Sequence, residues 1–489
     1  MRFFLALVCG AIYPLGFAPF ELWPLTLLSV LGLVWLMDKA DGSHSWVLWC
    51  FAFGKFAVGV SWVYVSMNVY AGTPPVVAVP LVVLFVIILS FFYWPAGWAY
   101  GRWSIANEST LLNVAFFAAL FIGTEWLLTW LFTGFPWLFV GHAMLGTPLH
   151  GMLSIVGVLG TGLVAVAIVG LIFLSAKRRA RAFAWAAVAV VLVSWLVGQI
   201  PWVTEVSKHT VALVQANMDQ DRKWLPEEGL PNLRRHLDLS NPHWDAELIV
   251  WPEAAITMFD ATDALDFIDI EGKKTSTSVV VGIPKVKRFP DGEYEVENTA
   301  LGLGTADGRF SKHHLVPFGE YVPLAGILRG LIEFFDLPMS LTVAGDRDQT
   351  NLKLALGGKI VEAAMAICYE VAYGESMRRR AQTAGLLISI SNDTWFGASI
   401  GPLQHMQIAQ TRSAENGRWL VRATNNGITA IVDHTGTITA ELPRFEAGAL
   451  RGEFAVMRGR TAYNRFGDWP FLLTLAVVFG LTFKRSLKS

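Results

Sequence analysis

The chain changes character near residue 203. Before that point apolar runs follow one another with little polar sequence between them. They are Phe3–Phe17, Leu22–Met37, Trp46–Met67, Val76–Trp98, Leu111–Phe132, Leu153–Ser175 and Ala182–Ile200, with one more far downstream, Trp469–Phe483. About 20 apolar residues in helical form cross the hydrocarbon core of a bilayer. Lipid offers backbone groups no water, so such runs are expected as helices. The pattern predicts a transmembrane bundle of about eight helices, the first two short and paired as a hairpin around Pro19 and Phe20. Thr133–His142 is apolar as well but is broken by Gly134 and Pro136, and it reads as an interfacial or re-entrant segment.

Between Thr204 and Arg465 the apolar runs shorten and become β-rich: Thr210–Gln215, Leu248–Trp251, Ser278–Ile283, Thr299–Leu303, Ala363–Ile367, Leu386–Ser391, Trp419–Ala423 and Ile428–Val432. Helical patterns fall between several of them, at Gly229–Leu239 and Leu403–Asn416. Short, nearly continuous apolar strands mean sheets covered on both faces, hence a layered α/β domain. There are no internal repeats. The expected organisation is a helical bundle over 1–203, an α/β domain over 204–465, and a last helix with a short tail over 466–489.

Composition agrees with this division. The 489 residues are 54% hydrophobic and 16% charged, where an ordinary soluble domain carries about 25% charged residues. Formal net charge is -1, so no basic field argues for nucleic acid. Lys177-Arg178-Arg179-Ala180-Arg181 is the richest basic loop, and Lys484–Lys488, Lys39, Arg102 and Arg2 fall on its side of the predicted topology. The positive-inside rule then puts both termini in the cytoplasm and the α/β domain across the membrane. The opening residues resemble a secretory or lipoprotein signal ending at Cys9. Val8 is too bulky for the position before a cleavage site, so an uncleaved first span is expected. Lys55 and Glu125 lie inside predicted spans, where they either brace the bundle or line a polar pocket for a lipid head group.

Of the three cysteines, Cys9 and Cys50 lie in apolar segments, and Cys368 stands alone in the polar half, so no disulfide framework is expected. Cys368 directly follows a strand, in Ala366-Ile367-Cys368-Tyr369-Glu370, as a nucleophile at a sheet rim would. A thiol needs a group to remove its proton or lower its pKa. The groups available are Glu253, Glu320, Glu370, Lys312, His313 and His314, each near a strand end or in an adjoining loop. A carboxylate serves as general base and later as general acid, and a lysine stabilises an oxyanion. Adjacent His313 and His314 match metal-ligand spacings poorly, so positioning roles and no metal are expected. Asn392–Gly397 is either a plain turn or the rim of a site.

Five motifs in order carry a resemblance: Trp251-Pro252-Glu253, Ser311-Lys312-His313-His314 on to Pro323, Ile367–Glu370, Ser391–Gly397 and Thr424-Asn425-Asn426-Gly427. Together they resemble the apolipoprotein N-acyltransferases, the membrane-bound branch of the nitrilase (carbon–nitrogen hydrolase) superfamily. Phe132–Leu138 is similar to that family's segment before the next span, although Leu127-Leu128 stand where many members carry a nearby arginine. The resemblance implies an α-helical transmembrane bundle plus an α/β nitrilase-like αββα sandwich. It implies a triad of Glu253 as general base, Lys312 as stabiliser of the tetrahedral intermediate and Cys368 as nucleophile. Glu320 and Glu370 would support the site, while Trp224 and Tyr369 would position substrate or a loop.

The implied reaction moves an acyl chain from a phospholipid donor, typically phosphatidylethanolamine, onto Cys368. The thioester then passes it to the α-amine of the diacylglyceryl cysteine of an apolipoprotein acceptor. No cofactor is implied. A multi-pass monomer in the bacterial inner membrane, with a periplasmic catalytic domain, is the expectation. Leu324–Phe335, apolar and aromatic beside the Lys312 motif, reads as an arm reaching to lipid substrate. A hydrolase using the same triad and a non-enzymatic transporter or scaffold are the competing readings.

Overall fold

The computed structural model describes residues 1–104, 110–258, 261–289, 294–321 and 342–486. The arm expected at Leu324–Phe335 lies outside the described residues. The chain forms two compact units. One holds Met1–Tyr64, Pro75–Pro201 and Thr461–Ser489, and the other Val65–Pro74 and Trp202–Arg460.

The first unit is helical: α1 (Arg2–Ile12), α2 (Trp23–Asp38), α3 (His44–Gly59), α4 (Pro75–Phe91), α5 (Trp94–Trp103), α6 (Leu111–Leu127), α7 (Leu153–Arg178) and α8 (Arg181–Val197), with the helix Trp469–Ser486 after the α/β unit. Each apolar run of the sequence has become helix. The continuous stretches Pro75–Trp103 and His150–Arg178 reach 29 residues each, long and apolar enough to cross a membrane. The run expected as one span over Trp46–Met67 instead breaks after Gly59 and bends by 48° into Trp62–Tyr70. The apolar helices Arg2–Gly16, Trp23–Asp38, Leu111–Leu127 and Arg181–Val197 are shorter, about 25 Å or less at 1.5 Å per residue.

Lys55 and Glu125 meet inside this unit. Lys55 Nζ lies 3.3 Å from Glu125 Oε1 with both side chains fully buried, and it donates to Tyr93 Oη at 2.9 Å. The carboxylate accepts the Val140 N–H at 3.2 Å on each oxygen. Tyr13 Oη donates to Leu138 O at 2.9 Å. The stretch around Gly134 and Pro136 is thus irregular backbone packed inside the unit, with Trp137–Met144 buried and orphan groups satisfied by side chains. Non-helical backbone in apolar surroundings persists only where protein partners satisfy it. Total burial assigns the pair to bracing this segment rather than to an open head-group pocket.

The second unit is a two-sheet sandwich. Its strands are β1 (Val203–Gln215), β2 (Leu248–Val250), β3 (Ser278–Arg288), β4 (Tyr294–Gly304), β5 (Ala306–Asp307), β6 (Arg309–Ser311), β7 (Leu352–Leu356), β8 (Lys359–Ile367), β9 (Leu386–Ser391), β10 (Leu420–Thr424), β11 (Ala430–Val432), β12 (Ile438–Glu441) and β13 (Gly448–Gly459). They form sheets of order β13-β1-β2-β3-β4-β6 and β12-β11-β10-β9-β8-β7-β5. At the centre of each lies a parallel trio, β1-β2-β3 in one and β8-β9-β10 in the other. The sheets face each other, with β1 against β10 and β13 against β11. Helices α9 (Gly229–Ser240) and α10 (Thr262–Thr275) cover the outer face of the first sheet; α11 (Gly374–Ala381) and α12 (Gly401–Asn416) cover the second. The layer under α9 and α10 is packed by Leu233, Ile249, Trp251, Ile268, Val279 and Val281.

The helical unit yields a test. Lys55→Met leaves Glu125 buried and uncompensated, which costs about 3 kcal/mol or more. Thermal unfolding in detergent is expected to show a clear drop for Lys55→Met and recovery in Lys55→Met/Glu125→Gln. Equal midpoints for wild type and the single variant would contradict the bracing role.

Candidate functional site

Sheet sites in α/β folds form beyond the carboxyl ends of parallel strands. Here the ends of β2, β8 and β9 deliver Glu253, Cys368 and Asn392 within a few residues of each strand terminus. Glu253 sits beside a left-handed residue, Ala254 (φ 47°). Gly282 of β3 makes room for this turn: a Cβ there would lie 2.2 Å from Pro252 O and 2.8 Å from the Glu253 Cα.

Lys312 follows β6 and is 1% exposed. Its backbone is stapled on both sides, its N–H donating to Asn298 O at 2.7 Å and its carbonyl accepting the Gly345 N–H at 2.8 Å. The ammonium reaches Glu253 Oε1 at 3.3 Å and Glu320 Oε2 at 2.8 Å. Burial opposes its charge, but Glu253, Glu320 and Cys368 outweigh that effect and hold its pKa well above the ordinary lysine value. Asn298 Nδ2 donates to Glu253 Oε1 at 2.6 Å and to Glu320 Oε1 at 3.3 Å. The Asn392 N–H donates to Glu253 Oε2 at 2.8 Å, and the Val316 N–H to Glu320 Oε2 at 2.9 Å. Lys312, Glu253 and Glu320 are therefore one buried cluster.

Cys368 ends β8 in the left-handed region (φ 52°) and opens a short turn through Ala372. A non-glycine residue there is strained, and surrounding bonds must hold it. Glu370 supplies several. Its Oε2 accepts the Ile367 N–H at 2.9 Å, and its Oε1 accepts the His313 and His314 N–H groups at 2.9 and 3.3 Å. One buried carboxylate thus ties the cysteine turn to the Lys312 loop. From the other side, His405 Nε2 donates to Cys368 O at 3.1 Å, and its Nδ1 lies 3.0 Å from Asp393 Oδ1. Asp393 is anchored by Arg422 Nη2 at 2.9 Å and Ser391 Oγ at 2.7 Å. Burial disfavours its charge, but Arg422 and His405 hold its carboxyl well below the usual range.

Cys368 is 8% exposed. Burial and the Glu253 carboxylate push its thiol up to about 12, while Lys312 and a hydrogen bond with Ser391 act in the opposite sense. The three residues expected as a triad are thus near enough for the charges of Glu253 and Lys312 to act on the sulfur. Tyr369 packs edge-on against Tyr373 at 5.3 Å, and Tyr373 stacks on His314 at 3.9 Å and 5°. His313 Nδ1 meets Gly345 O at 2.8 Å. Trp224 is half-buried in the loop before α9, its Nε1 enclosed without a hydrogen-bond partner among the described residues. No hydrogen bond joins it to Glu253, Lys312 or Cys368 among the described residues.

Sequence reasoning passed over Asn298, the network around Asp393, and Lys223. Asn298 lies in β4 just before the apolar run that marked the strand, so its buried amide gave no periodic signal. Asn392–Gly397 is no plain turn: Asn392 orients Glu253 through its N–H, and Thr394 bonds Asn392 Oδ1 at 2.7 Å and Asn426 Oδ1 at 2.8 Å. Lys223 Nζ donates to Glu253 O at 3.1 Å from a fully buried position.

This sandwich belongs to a recognised class, since residues 210–462 match the carbon–nitrogen hydrolase family. Residues 9–171 match the apolipoprotein N-acyltransferase N-terminal domain. The apolipoprotein N-acyltransferase of Pseudomonas syringae pv. tomato is 38% identical over 492 residues, covering 97% of this chain and 95% of its own. That of Shewanella oneidensis is 38% identical over 509 residues, covering 100% and 96%. The chain belongs to the apolipoprotein N-acyltransferase family. Among solved structures, Saccharomyces cerevisiae Nit3, a member of branch 10 of the nitrilase superfamily, aligns with 51% of this chain and 90% of its own at 17% identity and a TM-score of 0.37.

Removing the Glu370 carboxylate orphans three N–H groups. At about 1 kcal/mol or more each, Glu370→Ala is expected to lower stability by about 3 kcal/mol and to expose Cys368 to thiol reagents. Thermal unfolding and labelling kinetics check both. A variant matching wild type in both would deny Glu370 its tying role.

Proposed function

We propose that the chain is a phospholipid-dependent N-acyltransferase that completes lipoproteins, with Glu253, Lys312 and Cys368 as its catalytic triad. The observation carrying this reading is the buried Lys312 ammonium between Glu253 and Glu320, its charge felt by the Cys368 thiol. Family membership and the names of the relatives support the substrates.

The first half-reaction begins with a protonated thiol. Glu253 takes the proton as sulfur attacks the ester carbonyl carbon of the acyl donor. Among the described residues its Oε2 accepts one hydrogen bond, from Asn392, leaving a lone pair for this purpose. The developing oxyanion is stabilised by Lys312. Collapse breaks the carbon–oxygen bond, Glu253 returns the proton to the departing oxygen, and lysophospholipid leaves. In the second half-reaction the α-amine of the acceptor's diacylglyceryl cysteine attacks the thioester. Glu253 accepts the amine proton, the carbon–sulfur bond breaks, and the proton returns to sulfur. Atoms balance without water.

Glu320 shares the charge of Lys312 and fixes its direction. Glu370 holds the cysteine turn, while Tyr369 and Trp224 position the acyl substrate or a loop. Phosphatidylethanolamine is the expected donor. The distribution of lysine and arginine supports a catalytic unit, 204–465 by the sequence division, on the periplasmic side of a bacterial inner membrane. Apolar substrates favour an enzyme that stays in the bilayer, since each buried methylene is worth about 0.8 kcal/mol.

Incubation with isotope-labelled phosphatidylethanolamine, then mass spectrometry of the Cys368 peptide, is expected to show an acyl adduct. Adding a diacylglyceryl-cysteine peptide discharges it as N-acylated product. Cys368→Ser and Glu253→Gln give no adduct, and Lys312→Met loses about a hundredfold or more in rate. Released fatty acid without N-acylated peptide would make the chain a hydrolase. Near-full activity in Lys312→Met would remove that residue from its role.

A further inference from the structure

A second lysine touches Glu253 from behind, and the mechanism above does not use it. Lys223 is 1% exposed. Its ammonium donates to the main-chain oxygen of Glu253 at 3.1 Å. No carboxylate lies within ion-pair distance of it among the described residues. Its backbone is fixed by the Asp219 carbonyl, which accepts its N–H at 2.9 Å, and by Asn232 Nδ2, which donates to its own carbonyl at 3.0 Å.

A buried cation without a salt bridge is unfavourable, because desolvation is not offset by a counter-charge. A neutral amide would serve the single carbonyl equally well, so hydrogen bonding alone does not explain an ammonium here. The nearest offset is the field of the Glu253 carboxylate.

We propose that Lys223 is a positioning residue that acts through Glu253, clamping its main chain and setting a positive charge behind the general base. The inference rests on the reading of Glu253 as general base. Two cations then act on one carboxylate from opposite ends: Lys312 bonds its oxygen, and Lys223 bonds its peptide group. Burial lowers the Lys223 pKa and Glu253 raises it, leaving it at about 8, so the ammonium is mostly charged at neutral pH.

Other titratable groups around it do not duplicate the effect. His236 on α9 is pushed down to about 4 by burial, and Lys223 itself adds to that shift, so the imidazole is neutral. Asp219 and Asp221 lie on the same loop as Lys223, and Glu320 and Cys368 face Glu253 through Lys312. All four are acidic groups, and the positive groups nearby, Arg222 on the same loop and Arg235 on α9, are exposed to solvent, Arg222 being paired with Glu228.

The test separates charge from hydrogen bonding. Lys223→Gln keeps a donor for the Glu253 carbonyl but removes the charge; Lys223→Arg keeps the charge. The acid limb of kcat/KM for transfer from phosphatidylethanolamine to a diacylglyceryl-cysteine peptide reports the essential base of the free enzyme. A nearby positive charge lowers a carboxyl pKa, so its loss moves the acid limb upward. The shift expected in Lys223→Gln is about one pH unit, with Lys223→Arg staying close to wild type. The limb's midpoint does not depend on how much enzyme is folded. An acid limb unmoved in Lys223→Gln overturns the proposal, and so does a Gln variant that fails to fold while Arg folds, since that makes Lys223 a stability residue. Glu253→Gln is the control: if it keeps activity, the reading of the base falls, whereas an inactive Glu253→Gln with an unmoved Lys223→Gln limb defeats only this inference.

Discussion

An ammonium buried between two carboxylates organises the catalytic unit. Lys312 is almost fully enclosed, and alone it would bear a desolvation penalty of several kcal/mol. Glu253 and Glu320 offset that penalty, and each is pinned in turn by a backbone donor, the Asn392 N–H on Glu253 Oε2 and the Val316 N–H on Glu320 Oε2. Asn298 bridges the two carboxylates. No member can rotate without leaving another buried and unpaired. Rigidity therefore follows from electrostatics rather than from close packing alone, and a rigid donor array is what stabilises charge developing in a transition state. Elements from both sheets contribute, so folding of the sandwich and assembly of the cluster are one event.

The cysteine obeys a different constraint. Burial and a neighbouring carboxylate push its thiol up to about 12, so at neutral pH it rests as the thiol. Reactivity has to come from proton transfer during attack, not from a standing thiolate. This suits the proposed mechanism, in which an acyl intermediate waits for a second bulky substrate. A buried, protonated sulfur resists stray electrophiles, and the enclosure that raises its pKa also limits the water able to hydrolyse a thioester. The left-handed turn at Cys368, held by Glu370 and His405, fixes the sulfur while leaving no room for relaxation.

Much of this could be read from the chain, and the exceptions share a cause. Strand β9 was legible residue for residue because both of its faces are buried and the apolar residues of Leu386–Ser391 are broken only by small serines. Strand β13 was not, since it is only partly buried and carries the exposed Arg451, Glu453 and Arg458, which hide its long pairing with β1. Glu253, Lys312 and Cys368 stood out because each sits at or near a strand end in a recurring motif. Asn298 and Arg422 did not, because a single polar residue in or beside an apolar run looks the same whether it faces water or a buried charge, and Lys223 is hidden at the end of the polar run Asp219–Lys223. Only the fold reveals which. The break after Gly59 was equally silent: Trp46–Met67 is predominantly apolar on both sides of it, and hydropathy carries no information about bending.

The helical unit solves the same problem as the catalytic one with the same device. Its irregular stretch around Pro136 has backbone groups that a helix would have satisfied internally. Glu125 takes up the Val140 N–H and Tyr13 the Leu138 carbonyl, and Lys55 then balances the carboxylate. In both units a buried carboxylate is present because backbone donors need an acceptor, and a lysine is present because the carboxylate needs a counter-charge. The difference lies in what remains unsatisfied. The Lys55–Glu125 pair is enclosed on every side, with Tyr93 and Tyr13 completing it, so its chemistry is spent on structure. In the Lys312 cluster, among the described residues, Glu253 Oε2 accepts one hydrogen bond and keeps a lone pair for the proton transfer proposed above. That residual valence, rather than the mere presence of buried charge, distinguishes a reactive site from a structural brace.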